Sequence, residues 1–145
     1  MDGLDIKIID LLVLNSRTSL KDLSVATGLS SPSVADRIRR LEEKGIIRSF
    51  TVDIDVEALG YSLQAIVRIR PLPGMLHSVE KLIQETPEFI ECDKVTGDDC
   101  FIAKLCFRSM SQLDTILDRI TDKAETNTSI VKAISVKRRL PPLSR

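Results

Sequence analysis

The chain has 145 residues, which suits one medium domain or two small ones. Hydrophobic residues make up 43% and charged residues 29%, a balance that argues against disorder; with aromatics at 3% and no Trp, the cores must be built from Leu, Ile and Val. Lys+Arg and Asp+Glu are both 21, so the net charge is zero and any basic surface for nucleic acid has to be local.

The first stretch reads as a helix. Leu4, Ile8, Leu11 and Leu12 share a face, with Asp2 and Asp5 near the positive end of the dipole. Asn15 and Ser16 end it. Ser19 is expected to cap a second helix, with Asp22 completing a variant of the capping box, Leu20, Leu23 and Ala26 inward, and Gly28 as the turn. A third helix opens at Ser30 or Ser31 with Pro32 in its first turn, runs through Val34, Ile38 and Leu41, and stops at Gly45. The period then changes. Ile46, Ile47, Phe50, Val52 and Ile54 read as short strands, a hairpin or a strand leading into a linker.

Residues 54–60 are expected to join a domain of residues 1–53 to one of residues 61–145. The order beyond is strand (Tyr61 to Arg70), helix (about Met75 to Thr86), strands (Phe89 to Val95 and Phe101 to Phe107), a helix capped by Ser109 or Ser111, and a last strand from Ser129 to Arg138. The tail at Pro141-Pro142 is expected to be loose. This β-α-β-β-α-β order is that of a ferredoxin-like fold. The class is therefore α+β: an N-terminal winged helix-turn-helix joined to a C-terminal ferredoxin-like domain. In the strand Phe101 to Phe107, Phe101, Ala103, Leu105 and Phe107 share one face. Cys100, Ile102 and Cys106 share the other, with Lys104 the only charge. Two apolar faces imply that the sheets pack in pairs, giving at least a dimer.

The third helix carries the case for DNA. Its outward positions are read as Ser33, Asp36, Arg37, Arg40 and Lys44, with Arg39 to one side. Between Ser31 and Lys44 it is about 20 Å long, enough to lie in a major groove with its N-terminal residues on base edges. Ser31 and Ser33 suit phosphates or bases, Arg37 suits guanine O6 and N7, and Arg40, Lys44 and Arg48 suit phosphates. Asp36 either accepts from a cytosine amino group or orients Arg40 four residues on. Arg39 with Glu42 and Glu43 reads as a solvated ion-pair face.

No apolar run approaches the roughly 18 residues of a membrane span, and the acidic N-terminus carries no signal-peptide pattern; a cytoplasmic protein is expected. The cysteines Cys92, Cys100 and Cys106 are odd in number with no CxxC. They are expected to be reduced and largely buried, with no metal site. No Ser/His/Asp set, paired-carboxylate helix or phosphate loop is visible and the only histidine is His77, so no enzyme activity or cofactor is expected.

The runs Leu4-Asp5-Ile6-Lys7-Ile8-Ile9-Asp10-Leu11-Leu12, Arg17-Thr18-Ser19, Leu20-Lys21-Asp22-Leu23-Ser24 and Val25-Ala26-Thr27-Gly28-Leu29-Ser30 resemble the start of the leucine-responsive/asparagine (Lrp/AsnC) regulators. So do Arg37-Ile38-Arg39-Arg40-Leu41-Glu42-Glu43-Lys44-Gly45-Ile46-Ile47, Val95-Thr96-Gly97 and Thr126-Asn127-Thr128. The resemblance covers nearly the whole chain. It implies a transcription regulator that binds an imperfect palindrome in double-stranded DNA as a homodimer, associating further into a tetramer or octamer. An amino acid or related metabolite would tune assembly and DNA affinity. It also implies an effector pocket between dimers around Thr96, Gly97, Asp98, Asp99 and Cys100, with Met110, Ser129 and Ile130 as further lining. Many relatives carry Asp where this chain has Cys100; Asp98 or Asp99 is then the candidate substitute, unless the effector differs or is absent. Two other functions compete: an architectural, nucleoid-type DNA binder without effector, and an enzyme resembling sirohaem decarboxylases, to which a single histidine is ill suited.

Overall fold

The computed structural model describes residues 1–143, so residues 144 and 145, at the end of the second expected domain, lie outside the described residues. The chain divides into two compact units, Met1–Asp53 with the tail from Arg138, and Ile54–Lys137.

The first unit holds α1 (Gly3–Leu14), α2 (Leu20–Thr27) and α3 (Ser31–Glu43). Each start is fixed by a short polar side chain that accepts an otherwise orphaned backbone N–H. Asp2 caps α1 in a reciprocal box with Asp5, Ser19 accepts from the Asp22 N–H, and Ser30 from the Ser33 N–H. At the end of α3, Ile46 N–H donates to the Leu41 carbonyl at 2.9 Å and Gly45 N–H to the Glu42 carbonyl at 2.8 Å, the paired bonds of a Schellman cap. The core is small: Ile8, Leu12, Leu23 and Val34 are buried, with Leu11, Leu29, Ile38 and Ile47 packed against them.

The expected strands between Ile46 and Ile54 are not formed. Among the described residues, the backbone of 48–54 makes no hydrogen bond to other backbone. Phe50, Val52 and Ile54 are exposed. Alternating apolar residues become a strand only where a second strand accepts their N–H groups, and this segment has none beside it.

The second unit holds β1 (Leu63–Pro71), α4 (Leu76–Glu85), β2 (Phe89–Lys94), β3 (Phe101–Phe107), α5 (Met110–Asp118) and β4 (Ala124–Ile130). The strands run in the order β2-β3-β1-β4, each antiparallel to its neighbour. Ala65, Val67 and Ile69 of β1 and Phe101, Ala103, Leu105 and Phe107 of β3 are buried with Val79, Ile83, Leu113 and Ile116 of the helices. The last strand starts five residues before the expected Ser129 and ends at Ile130. Its polar run Glu125-Thr126-Asn127-Thr128 hid it, because an edge strand buries little; of β4 only Ala124 is buried.

The second sheet face also departs from expectation. Cys106 is buried there and Ile102 and Lys104 are half-buried. The residues that share the face across the register are Glu91 and Asp93 of β2, Gln64, Ile66, Arg68 and Arg70 of β1, and Glu125, Asn127 and Ser129 of β4. The face is therefore mainly charged and polar, with Ile66, Ile102 and Cys106 as a narrow apolar strip. Of the four strands, β3 alone is mainly apolar on both sides, with Lys104 as its one charge.

Candidate functional site

Two regions carry the residues singled out above. The first is α3. Ser33, Arg39, Arg40, Lys44 and Arg48 are exposed, while Ser31, Asp36 and Arg37 are half-buried. Asp36 lies between two arginines: it pairs with Arg39, and its Oδ2 is 3.2 Å from Nη2 of Arg40. The Arg39 hydrogen bond is the main reason the Asp36 carboxyl is held below its ordinary range. Arg39 also reaches Glu43 at 2.9 Å, one turn on. Of the two roles weighed for Asp36, this geometry is that of an orienting partner for Arg40. Arg39 and Glu43 form the anticipated ion-pair face.

Arg37 is placed differently from the outward position expected of it. Its Nη1 lies 2.8 Å from Oδ2 and 3.0 Å from Oδ1 of Asp2, and 2.8 Å from Oδ1 of Asp5. The side chain retains 20% exposure, and that of Asp5 17%. The acceptors are the N-cap and third residue of α1, where helix geometry already concentrates negative side chains. The carboxyl of Asp2 is lowered by the Asp5 N–H and then by Arg37. Burial raises that of Asp5, but the Asp2 N–H and Arg37 outweigh it and the net shift is down. Arg37 stands three residues after buried Val34 and four before buried Leu41. That spacing puts it on the flank of the inward face, a signal present in the sequence that the outward reading overlooked.

The second region is the turn between β2 and β3. Val95 N–H donates to the Cys100 carbonyl at 2.8 Å and closes it. Gly97 sits at φ +105, a conformation that side chains disfavour. Asp99 and Cys100 are half-buried; Thr96, Gly97 and Asp98 are exposed. Arg70, exposed at the end of β1, stands beside the turn, with Nη2 3.5 Å from Asp99 and Nη1 3.8 Å from Glu125 of β4.

The remaining lining candidates are elsewhere on the sheet. Met110 follows the far end of β3, which puts it about 20 Å from the turn along the strand. Ser129 and Ile130 pair with Ile66 and Ala65, level with Lys104 and Leu105. One protomer therefore does not bring Thr96–Cys100 together with Met110, Ser129 and Ile130. The thiols are not uniformly buried either: Cys106 is buried, Cys100 intermediate and Cys92 exposed. Cys92 is exposed because β2 is an edge strand, with a neighbouring strand on one side only among the described residues.

Comparison with known proteins adds independent findings. Residues 64–141 match the family model described as Lrp/AsnC ligand binding domain, and residues 1–48 match that described as winged helix-turn-helix DNA-binding. The transcriptional regulator FL11 of Pyrococcus horikoshii is 35% identical over 120 residues, 83% of this chain and 80% of that protein. Among solved structures, LrpC of Bacillus subtilis superposes with a TM-score of 0.88 at 28% identity, covering 95% of this chain and 99% of that one. A Neisseria meningitidis transcriptional regulator solved as its L-Met complex gives 0.87 at 25% identity, covering 97% and 96%.

Proposed function

Because the chain belongs to the Lrp/AsnC family of effector-responsive, DNA-binding transcriptional regulators, we propose that it reads an imperfect palindrome with α3 and tunes that reading with an amino acid bound at the Thr96–Cys100 turn. The observation that carries the reading is the exposed edge of α3. Arg40 lies on it beyond the N-terminal serines with Lys44 at its C-cap, Arg48 is exposed in the segment that follows, and Asp36 steers Arg40. Ser31 and Ser33 then face base edges, and Arg39, Arg40, Lys44 and Arg48 supply local positive charge to a neutral chain.

A palindrome requires two copies, with their recognition helices one helical turn apart. The sheet offers a surface for pairing. Glu91 and Asp93 at one margin and Arg68, Arg70 and Lys104 in the middle give a second copy both signs of charge to oppose, around the strip of Ile66, Ile102 and Cys106. The separation of Met110, Ser129 and Ile130 from the turn fits a pocket whose two halves come from different subunits, between dimers of a tetramer or octamer. The effector then changes how dimers associate and how many half-sites they engage. The residues are used for binding; no catalytic role is assigned to them.

The test is a DNA-shift assay with a duplex selected by the protein from random sequence, with and without pooled amino acids. Binding by the parent that one amino acid alters, and a smaller salt dependence for Arg40→Ala, are expected. Failure of the parent to prefer any duplex overturns the reading. DNA binding that no amino acid alters identifies an effector-independent architectural protein.

A further inference from the structure

We propose that Asp2 and Asp5 are positioning residues for DNA recognition: they hold Arg37 against the N-terminus of α1, keep that guanidinium off the DNA-facing edge, and fix how α3 presents Ser33, Asp36 and Arg40. The inference rests on the DNA-binding reading above and gives a role to two carboxylates that electrostatics alone would count against binding a polyanion.

Three observations carry it. First, a single nitrogen, Nη1 of Arg37, is within 3.0 Å of three carboxylate oxygens from two residues. One positive charge thus faces two negative ones, and the cluster has no positive charge to spare for a phosphate. Second, the contact is long-range in sequence and joins the start of α1 to the middle of α3. The same two helices also meet in the small core, where Ile8 and Leu12 of α1 and Val34 of α3 are buried and Leu11 and Ile38 pack against them. Third, Asp2 and Asp5 are themselves fixed. Asp2 accepts the N–H groups of Leu4 at 3.0 Å and Asp5 at 2.9 Å, and the Asp2 N–H donates to Asp5 at 3.0 Å. A capping box is rigid because its side chains are locked by the backbone of the helix they start. Arg37 is therefore tied to a fixed point rather than to another mobile side chain. One turn on, Arg40 remains exposed and paired with Asp36, so rotation of α3 about its axis moves it directly.

The experiment measures anisotropy of the full-length protein on two duplexes: the selected one and a shuffled one of equal composition, at several salt concentrations. The variants are Asp2→Asn with Asp5→Asn, and separately Arg37→Gln, which leaves the cap of α1 intact. Circular dichroism confirms that each remains folded. A parent that does not discriminate between the duplexes rejects the DNA-binding reading itself.

Given a discriminating parent, both variants are expected to lose about tenfold of the preference for the selected duplex. Arg37→Gln should leave the slope of log affinity against log salt unchanged, since Arg37 releases no counterion. Combining all three changes should cost no more than either alone. Three outcomes overturn the proposal. One is a salt slope smaller by about one in Arg37→Gln, which would place Arg37 on a phosphate. Another is uniformly tighter binding by the Asp variant with preference intact, which would be simple charge removal. The last is parental discrimination in both variants.

Discussion

Arg108 lies over the ring of Tyr61, its guanidinium carbon 4.6 Å from the ring centroid, and the same side chain donates to the Leu59 carbonyl at 3.3 Å. A Cβ on Gly60 would fall 2.9 Å from Nη1 of Arg108, at a backbone φ of +90. The 56–60 turn is thereby clasped to the corner between β3 and α5. Gly60→Ala is expected to destabilise the protein by about 1–3 kcal/mol, mostly through φ. The Arg108 tip can move, so the steric part is smaller. Thermal melts should show that Gly60→Ala costs less in an Arg108→Ala background than in the parent; equal costs would show that the two residues do not sense each other.

The acidic cluster at the start of α1 predicts a pH dependence. Folded-state carboxyls of Asp2 and Asp5 lie below 3.8, so the stability they contribute is complete above that value and disappears as pH falls through the lowered range. Asp5→Asn should lower Tm by a few degrees at neutral pH, and the gap from the parent should close as pH falls through the lowered range of the Asp5 carboxyl. A gap that stays constant with pH would show that the carboxylate charge is not what stabilises.

Thiol reactivity should follow burial. Burial pushes the Cys106 thiol above its ordinary range. Burial, then Asp93 and Glu80, push up that of Cys92, which is nonetheless reachable. Because the thiolate is the nucleophile, alkylation of native protein at pH 8 should modify Cys106 last, by roughly a hundredfold in rate, with mass spectrometry reading the order. Comparable rates at Cys92 and Cys106 would mean that β3 opens locally.

The two cores should fail separately. Leu23 is fully buried in the small helical cluster and Leu105 in the larger cluster under the sheet. Either substitution to Ala removes about 2–5 kcal/mol. Leu23→Ala should lower only the transition in calorimetry that is accompanied by loss of DNA binding, and Leu105→Ala only the other. A single transition shifted by both would show that the units unfold as one.

Much of the architecture was legible in the residues. Ser19, Ser30 and Ser109 cap helices as their positions suggest, and β3 spans Phe101 to Phe107 as read from its alternation. These features are local: a cap is decided within three residues, and a buried central strand shows its pattern on both faces. The turn between β2 and β3 was legible for the same reason. Its neighbour Arg70 was not, since only the pairing of β1 with β4 brings Glu125 opposite it.

Local propensity and period thus determined the helices, their caps and the order of elements, because each depends on neighbours a few residues apart. Tertiary structure alone decided which carboxylates Arg37 meets, that residues 48–54 stay unpaired, and that polar β4 begins at Ala124. A long charged side chain goes to whichever opposite charge the fold brings within reach, and an extended segment becomes a strand only when a distant one supplies its hydrogen bonds.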